Sequence, residues 1–370
     1  ALFEQARLLH QRVTVSQVEQ VQVWRGLTEA RFALGRHGET EAALRQLCKL
    51  AGMPLPTHAL GLWSQVGRLS ATLIASHLGL RQKAPPPGTA EQKILGELLI
   101  AFGLGELFVW TDQAEMGLLC GLWEMCLEDR LATEPHRTYH SSGLFFILSH
   151  TPLRGLCQRY LAQLEGRAAS GTQAEINYCR FRALVEINNS NFHPATKYAA
   201  QAVALARKYK DDLALLHSLL QLQLAAAGRH DFPQMLAVGR EMEPLAVRAE
   251  NPRYLMLAYM GQGGALLNLG DITAAALVLD KARAHLPQEL GPIPESVTLG
   301  LAAVCALHLE QLARAEELAD QALHAVQRAR WNLAQLRYPL TGILEVYLRE
   351  DQGARPTAKI TRALTRLRQI

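Results

Sequence analysis

Apolar residues recur along most of this chain at intervals of three and four positions, the spacing of one face of an α-helix. Polar and helix-breaking residues interrupt the pattern at regular distances, and no alternating apolar run bounded by turn residues predicts a strand. The pattern predicts an all-α protein of antiparallel helical hairpins with one lone amphipathic helix at about 59–80. The predicted hairpins cover about residues 15–51, 91–131, 136–167, 174–209, 212–249, 252–286, 293–330 and 333–369.

A polar residue followed by a large apolar residue recurs every 40 positions at the breaks between helices. The pairs are Asn191-Phe192, Asp231-Phe232, Asp271-Ile272 and Gln311-Leu312. Small residues keep the same register, as Gly263 does before Ile272 and Ala275 and Ala282 do after it. Small side chains let two helices of a hairpin approach closely, so we expect Gly263 to face Ala275.

One repeat unit departs from this rule, because it carries Gln223, Met235 and Met242 where the others have small residues. We expect this unit to be packed more loosely or to be shifted slightly. A bundle of non-repeating helices is the alternative architecture, but a register held over five units favours a solenoid.

The repeat carries a set of residues at the spacing of the signature positions of the tetratricopeptide repeat. They are Tyr259, Gly263, Leu266, Gly270, Asp271, Ala275 and Ala282. The chain therefore resembles that family, and the resemblance implies a right-handed superhelix of antiparallel hairpins. The period of about 40 residues is longer than is usual for the family, which implies longer helices.

The chain also resembles the C-terminal helical region of large multi-domain bacterial signalling proteins. In those proteins a class III nucleotide cyclase or protein kinase domain precedes an AAA-type, STAND-like ATPase, and a tetratricopeptide-like tail follows. The resembling stretches are Ala30–Pro56, Phe108–Cys126, Arg253–Ala284 and Leu312–Ala325. The resemblance implies that the catalytic domains lie upstream. Because Ala1 stands within a helical pattern and is not a Met, we expect a fragment of a longer protein.

The proline-rich segment 84–88 is the best candidate for a linker, because consecutive prolines end helices and stiffen a chain. We therefore predict an N-terminal region at 1–88, made of a hairpin, the lone amphipathic helix and the linker. The tetratricopeptide-like superhelix is predicted at 89–370.

Composition narrows the classes of function. The net charge is +4 with both signs interspersed, so we expect no nucleic-acid partner. Six cysteines lie in apolar helical stretches without a Cys-x-x-Cys pair, which indicates reduced thiols and a cytoplasmic protein. There is no signal peptide and no apolar run long enough to span a bilayer, so we expect no membrane partner.

Three short patterns invite a catalytic or cofactor-binding interpretation, and none of them has the residues that the chemistry needs. The segment Gly103-Leu104-Gly105-Glu106 lacks the Lys and Ser or Thr of a phosphate-binding loop, so we expect helix packing. His136 and His140 have the spacing of a helical metal pair, but no further ligand is placed near them in the sequence. Ser141-Ser142 lacks a nucleophile elbow. We expect no catalytic residue, cofactor or metal.

In tetratricopeptide arrays the first helix of each hairpin lines the concave surface, so the repeat register predicts where a ligand would bind. The predicted contacts are Arg137, His140, Leu144, Asn177, Arg180, Leu184, Leu220, Leu257 and Met260. Their apolar members form either the core or a groove for an apolar peptide or an amphipathic helix. The arginines either hold acidic groups of that ligand or pair internally with glutamates such as Glu175 or Glu186.

The sequence thus predicts a non-catalytic protein-interaction and regulatory module that controls an upstream ATPase or cyclase. The alternative is a free-standing peptide-binding scaffold or adaptor. An enzyme built on a helical superhelix is a third class, for which the sequence offers no site. The expected partner is a protein or peptide, which includes another domain of the same polypeptide, and the sequence leaves the oligomeric state open.

Overall fold

Every element of secondary structure in the described part of the chain is a helix. The computed structural model describes residues 16–78, 80, 83–105, 107–108, 111–131, 157–158, 161–162, 164–165, 168, 173–286, 291–330, 337–350 and 357–369. The α-helices are α1 Gln17–Ala33, α2 His37–Leu50, α3 Ala59–His77, α4 Ala90–Phe102, α5 Ala114–Arg130, α6 Gln173–Asn188, α7 Phe192–Tyr209, α8 Asp212–Gly228, α9 Phe232–Arg248, α10 Pro252–Asn268, α11 Ile272–Ala284, α12 Pro292–His308, α13 Leu312–Arg328, α14 Arg337–Glu350 and α15 Thr357–Arg368. A short 3₁₀ helix, Gly103–Gly105, follows α4. These elements confirm the all-α class that the sequence predicts, and the predicted hairpin at 136–167 lies largely outside the described residues.

The chain divides into two compact units, Ala1–Asn188 and Asn189–Ile370. In the second unit each of the helices from α7 to α15 packs against the next helix along the chain. The helices α8, α10, α12 and α14 also contact one another in that order, so they form one layer of the array. This arrangement of consecutive hairpins with a 40-residue period confirms the predicted tetratricopeptide-like repeat fold.

Six described turns of the second unit each contain one residue with a left-handed backbone, with φ between 49° and 86°, and successive residues of this set lie 20 or 40 positions apart. They are Ser190, Lys210, His230, Glu250, Gly270 and Glu310. In the last turn of α8 the N–H of Asp231 donates to the carbonyl of Ala226 at 2.9 Å. This bond satisfies a carbonyl that the end of the helix would leave without a donor.

The polar member of the repeated dipeptide is the N-cap of the second helix in each hairpin. The side chains of Asp231 and Asp271 each accept a hydrogen bond from a backbone N–H of the following helix at 3.1 Å. The apolar member is the first residue of that helix, as at α9 and α11. The local sequence therefore helps to determine where α9 and α11 begin, whereas Asn191 and Gln311 stand at the N-cap without a side-chain hydrogen bond to the helix.

The small residues of the repeat allow close helix contact, although one pairing differs from the expectation. A Cβ built at Gly263 would lie 2.5 Å from Cγ of Leu279 on α11. The three atoms nearest to this Cβ all belong to Leu279. The register predicts Ala275 as the partner of Gly263, and Ala275 is fully buried but lies one turn before Leu279. Gly263 is therefore required by the larger side chain that faces it.

The unit that departs from the small-residue rule is accommodated by glycines on neighbouring helices. Gln223 of α8 is buried, and its amide nitrogen lies where a Cβ at Gly261 of α10 would stand. A Cβ at Gly239 of α9 would be 2.8 Å from the same nitrogen. Two missing side chains thus make room for the larger one, and Met242 in the same unit is also fully buried. The expected loosening of this unit is not observed.

In the first unit, helices from both sides of the proline-rich segment share one apolar core. Helix α1 packs against α2 and α4, and α5 packs against α3 and α4. The core includes Leu47, Leu98, Phe102, Leu119 and Cys120. The boundary between 88 and 89 stays a prediction.

Candidate interaction site

Two polar residues of the predicted binding surface, Asn177 and Arg180, lie one turn apart on α6. Positions three apart share a face of a helix, so the two side chains can meet. Nη1 of Arg180 donates a hydrogen bond to Oδ1 of Asn177 at 3.3 Å. Both side chains are buried, and only 5% of Arg180 is exposed. Helix α6 therefore holds a positive charge close to the protein interior.

Arg180 makes no ion pair with a carboxylate in the part of the chain that the structure describes. Its Nε atom is buried and has no hydrogen-bond partner among those residues. A guanidinium has five N–H donors, and Asn177 accepts one of these hydrogen bonds. Withdrawing a charge from water without a counter-ion costs several kcal/mol, so a buried arginine in this state is unusual.

The neighbouring arginine on the same helix shows the ordinary arrangement. Nη2 of Arg182 lies 3.0 Å from Oε1 of Glu186, and its Nη1 donates to Oε1 of Gln158 at 3.2 Å. Glu186, which the sequence offered as an internal partner for Arg180, is thus paired with Arg182. Helix α6 thus carries a glutamate, Glu186, that pairs with Arg182 and not with Arg180.

The apolar residues of the predicted surface are partly or fully covered by protein. Leu220 of α8 and Leu257 of α10 are buried, whereas Met260 and Leu184 are half-buried. Met260 packs against an apolar core of the second unit. The burial of these residues favours a role in the hydrophobic core over a role in an open groove. Their role as ligand contacts stays a prediction.

Several candidates lie outside the described residues. They are Arg137, His140 and Leu144 of the predicted surface, together with His136 and Ser141-Ser142. The roles assigned to them from the sequence stay predictions.

The repeat register did not single out Gln221, a further polar residue on α8. It is buried, and its Oε1 atom has no hydrogen-bond partner in the described ranges. The available signal is its place among Leu219, Leu220 and Leu222, because a polar side chain among large apolar ones needs a partner if it is buried. Such an amide can accept a hydrogen bond from a ligand or from an ordered water molecule.

Gly105, the second glycine of the segment that was compared with a phosphate-binding loop, has a role in packing. Gly103 and Gly105 lie in the buried 3₁₀ helix, and a Cβ at Gly105 would be 2.8 Å from Cβ of Cys120 on α5. Gly105 therefore allows this turn to pack against α5.

The thiols are protonated over the physiological pH range. Burial raises the pKa of Cys179, next to Arg180, to about 12 and that of Cys120 well above its usual value. Since the thiolate is the nucleophilic form, these cysteines are inert as folded. Among the described residues there is no group of three or more His, Cys, Asp or Glu side chains that could hold a metal ion. No helix in that part of the chain is long and apolar enough to cross a membrane.

Comparison with known proteins gives a match in fold without a match in sequence. No protein-family model matches the chain, and no curated protein matches it. Among solved structures the chain is similar to a Rap protein complexed with competence and sporulation factor. The TM-score is 0.50 and the sequence identity 13%, over 95% of this chain and 87% of the Rap chain. At this identity the similarity shows the fold alone.

Proposed function

We propose that this chain is a non-catalytic protein-interaction module that binds a carboxylate group of a protein or peptide at Arg180. The observation that carries the proposal is the buried guanidinium of Arg180, which Asn177 orients and which no described carboxylate neutralises. A planar guanidinium binds a carboxylate through two parallel hydrogen bonds, and a ligand carboxylate would supply the missing counter-charge. The desolvation of Arg180 is then offset in the complex.

The fold supports a function of this kind. The Rap protein with the same fold was solved as a complex with competence and sporulation factor. A helical repeat array presents an extended surface on which another molecule can lie. We expect the rest of the ligand to contact Leu184, which is half-buried and lies four residues after Arg180 on α6.

We further propose that binding regulates a catalytic domain of the same polypeptide, a bacterial signalling ATPase or a nucleotide cyclase. The support is the resemblance of the stretches Ala30–Pro56 and Arg253–Ala284 to the tails of such proteins. The full-length gene tests this directly. A nucleotide-binding loop, a cyclase domain or a kinase domain encoded before Ala1 is the expected result, and a complete gene without any of them contradicts it.

A display library of short random peptides with free carboxyl termini tests the ligand class. The wild-type chain and the Arg180→Ala variant are each used as bait. We expect the wild type to enrich peptides with an acidic side chain or a shared C-terminal residue, and Arg180→Ala to lose that enrichment. Two synthetic variants of an enriched peptide then show which carboxylate binds. One has an amidated C-terminus, and in the other the acidic side chain is replaced by its amide.

The matched control is Arg207→Ala, which removes an exposed arginine of α7 that pairs with Glu241 of α9. Exposed pairs contribute little to stability, so this variant should select the same peptides as the wild type. Equal enrichment by wild type and Arg180→Ala, or a selection without any enriched peptide, would contradict the proposed function.

A further inference from the structure

Helix α3 and the residue that follows it present large apolar side chains to solvent near both ends of the helix. Leu60 is 81% exposed, Trp63 52%, Ile74 62% and Leu78 76%. Single exposed apolar residues are ordinary on a protein surface, but a row of four at helical spacing is the signature of a contact surface. We call the row formed by Leu60, Trp63, Gly67, Ala71, Ile74 and Leu78 the α3 stripe.

The other face of α3 is already occupied. Leu62 and Leu69 are buried in the core of the first unit, and Ser76 Oγ donates to Oδ2 of Asp129 on α5 at 2.7 Å. Arg68 is the one Lys, Arg, Asp or Glu of the helix, and its guanidinium lies 5.6 Å from the ring centroid of Trp123 on α5. The charge is therefore turned toward α5, and the α3 stripe has no charged member.

The order of large and small side chains in the α3 stripe is nearly the same whether it is followed from Leu60 to Leu78 or from Leu78 to Leu60. Two large residues come first, then Gly67 and Ala71, then two large residues again, and the midpoint is Leu69. A Cβ built at Gly67 would have no atom within 4 Å, so the middle of the stripe is open. The two ends of the stripe carry the exposed bulk.

This order fits a second helix that crosses α3 at its middle. Crossing helices are closest at the crossing point and diverge on either side of it. Small residues at the crossing allow close approach, and large residues beyond it fill the widening gap. The crossing helix therefore needs the same order of sizes, and the α3 stripe of a second copy of this chain has that order.

We propose that two copies of this chain associate through their α3 stripes, antiparallel and about a two-fold axis near Leu69. Trp63 of one copy then lies near Ile74 of the other, and Gly67 lies near Ala71. Such a contact is isologous, because each copy contributes the same surface, and it closes at two subunits. The inference does not depend on ligand binding at Arg180.

The small size of the α3 stripe is typical of a transient association. A helix rises about 1.5 Å per residue, and α3 has 19 residues. One helix face of this length is smaller than the roughly 800 Å² per partner of a stable interface. We therefore expect a transient dimer with a dissociation constant of roughly ten to several hundred micromolar, so that the monomer dominates in dilute solution.

Sedimentation velocity of the whole chain, from low micromolar to several hundred micromolar concentration, tests the proposal. The wild type should shift from monomer to dimer. Ala71→Arg and Ile74→Glu, as independent variants, should each weaken association at least about tenfold, because each copy would bury an unpaired charge at the contact. Circular dichroism of each variant verifies that the helices are intact. Leu277→Arg, at an exposed leucine of α11 outside the stripe, is the matched control and should dimerise as the wild type does.

A mixing experiment tests the orientation. Trp63→Cys and Ile74→Cys proteins, combined with a short bis-maleimide linker, should give more cross-linked dimer together than either protein gives alone. A wild type that stays monomeric throughout the concentration range would overturn the proposal. So would unchanged association in both charged variants, or cross-linking that is strongest within the Trp63→Cys protein alone.

Discussion

The side-chain amide of Gln223 on α8 occupies the space that a methyl group would fill at Gly261 on α10. Gln223 stands at a position where the other repeat units have glycine or alanine, and it is buried. Gly239 on α9 confines the same amide from a second side. The larger residue and the two glycines therefore act together, so a change in one should alter the effect of a change in another.

Gly261→Ala should destabilise the protein by about 1–3 kcal/mol, because the new methyl group would overlap the amide of Gln223. The same substitution in a Gln223→Ala background should be neutral or stabilising, since alanine favours helix over glycine. Urea denaturation of the wild type, both single variants and the double variant measures the coupling. Additive effects of the two substitutions would show that Gln223 and Gly261 are not complementary.

Two adjacent glycines of α10 should respond differently to the same substitution. A Cβ at Gly263 would lie 2.5 Å from Leu279, whereas at Gly264 its nearest neighbours would be Met235 at 3.4 Å and Leu301 at 3.5 Å. Gly263→Ala should therefore lower the free energy of unfolding by about 1 kcal/mol or more. Gly264→Ala should leave it unchanged or raise it by up to about 1 kcal/mol. Equal midpoints of urea denaturation for the two variants would contradict the contact at Leu279.

The native thiols should react with a disulfide reagent only after unfolding. Burial raises the pKa of Cys48, Cys126, Cys179 and Cys305 to about 12 and that of Cys157 to about 11, and it raises the pKa of Cys120 well above its usual value. At pH 8 the folded protein should react slowly, and all six cysteines should react in guanidinium chloride. A Ser64→Cys variant, at an exposed position, should add one fast thiol. Fast reaction of a native cysteine in the folded wild type would contradict the packing around it.

Lys359 joins α15 to α13, because its Nζ lies 2.6 Å from Oε1 of Glu316 and 2.9 Å from Oδ2 of Asp320. These two hydrogen bonds raise the pKa of Lys359 above its ordinary value of 10.5. A raised lysine pKa stabilises the fold fully below pH 10.5, and the stabilisation is lost as the pH rises through the folded pKa.

Lys359→Met should therefore be less stable than the wild type near neutral pH, by about 1 kcal/mol or less because the pairs are partly exposed. The difference in the free energy of unfolding should shrink at the alkaline end of the range in which the protein stays folded. Urea denaturation of the wild type and of Lys359→Met at a series of pH values measures this difference. A difference that persists unchanged at high pH would assign the effect to packing against Tyr347 instead, whose ring centroid is 5.5 Å from Nζ.

The sequence reveals the features of this fold that depend on local chemistry. Asp231 and Asp271 cap the helices that follow them, so their spacing predicts where these helices begin. The left-handed turn residues are harder to predict, because Gly270 signals such a backbone whereas Lys210 and His230 do not.

Features that depend on distant residues could not be predicted. The space for Gln223 comes from Gly261, 38 positions later, which no local pattern indicates. Arg180 and Arg182 both have glutamates within one or two turns, and only the structure shows that Glu186 pairs with Arg182. The amphipathic pattern predicts α3 as a helix but does not predict that both of its faces are apolar and that the large residues of one face are exposed.

Isothermal titration calorimetry with a peptide selected on the wild-type chain tests the central claim most directly. The four measurements combine the wild type or Arg180→Met with the peptide carrying its carboxylate or the corresponding amide. If Arg180 binds the carboxylate, removing either partner should weaken binding at least about tenfold, and removing both should weaken it little further. Losses that simply add, or an affinity that Arg180→Met leaves unchanged, would contradict the account.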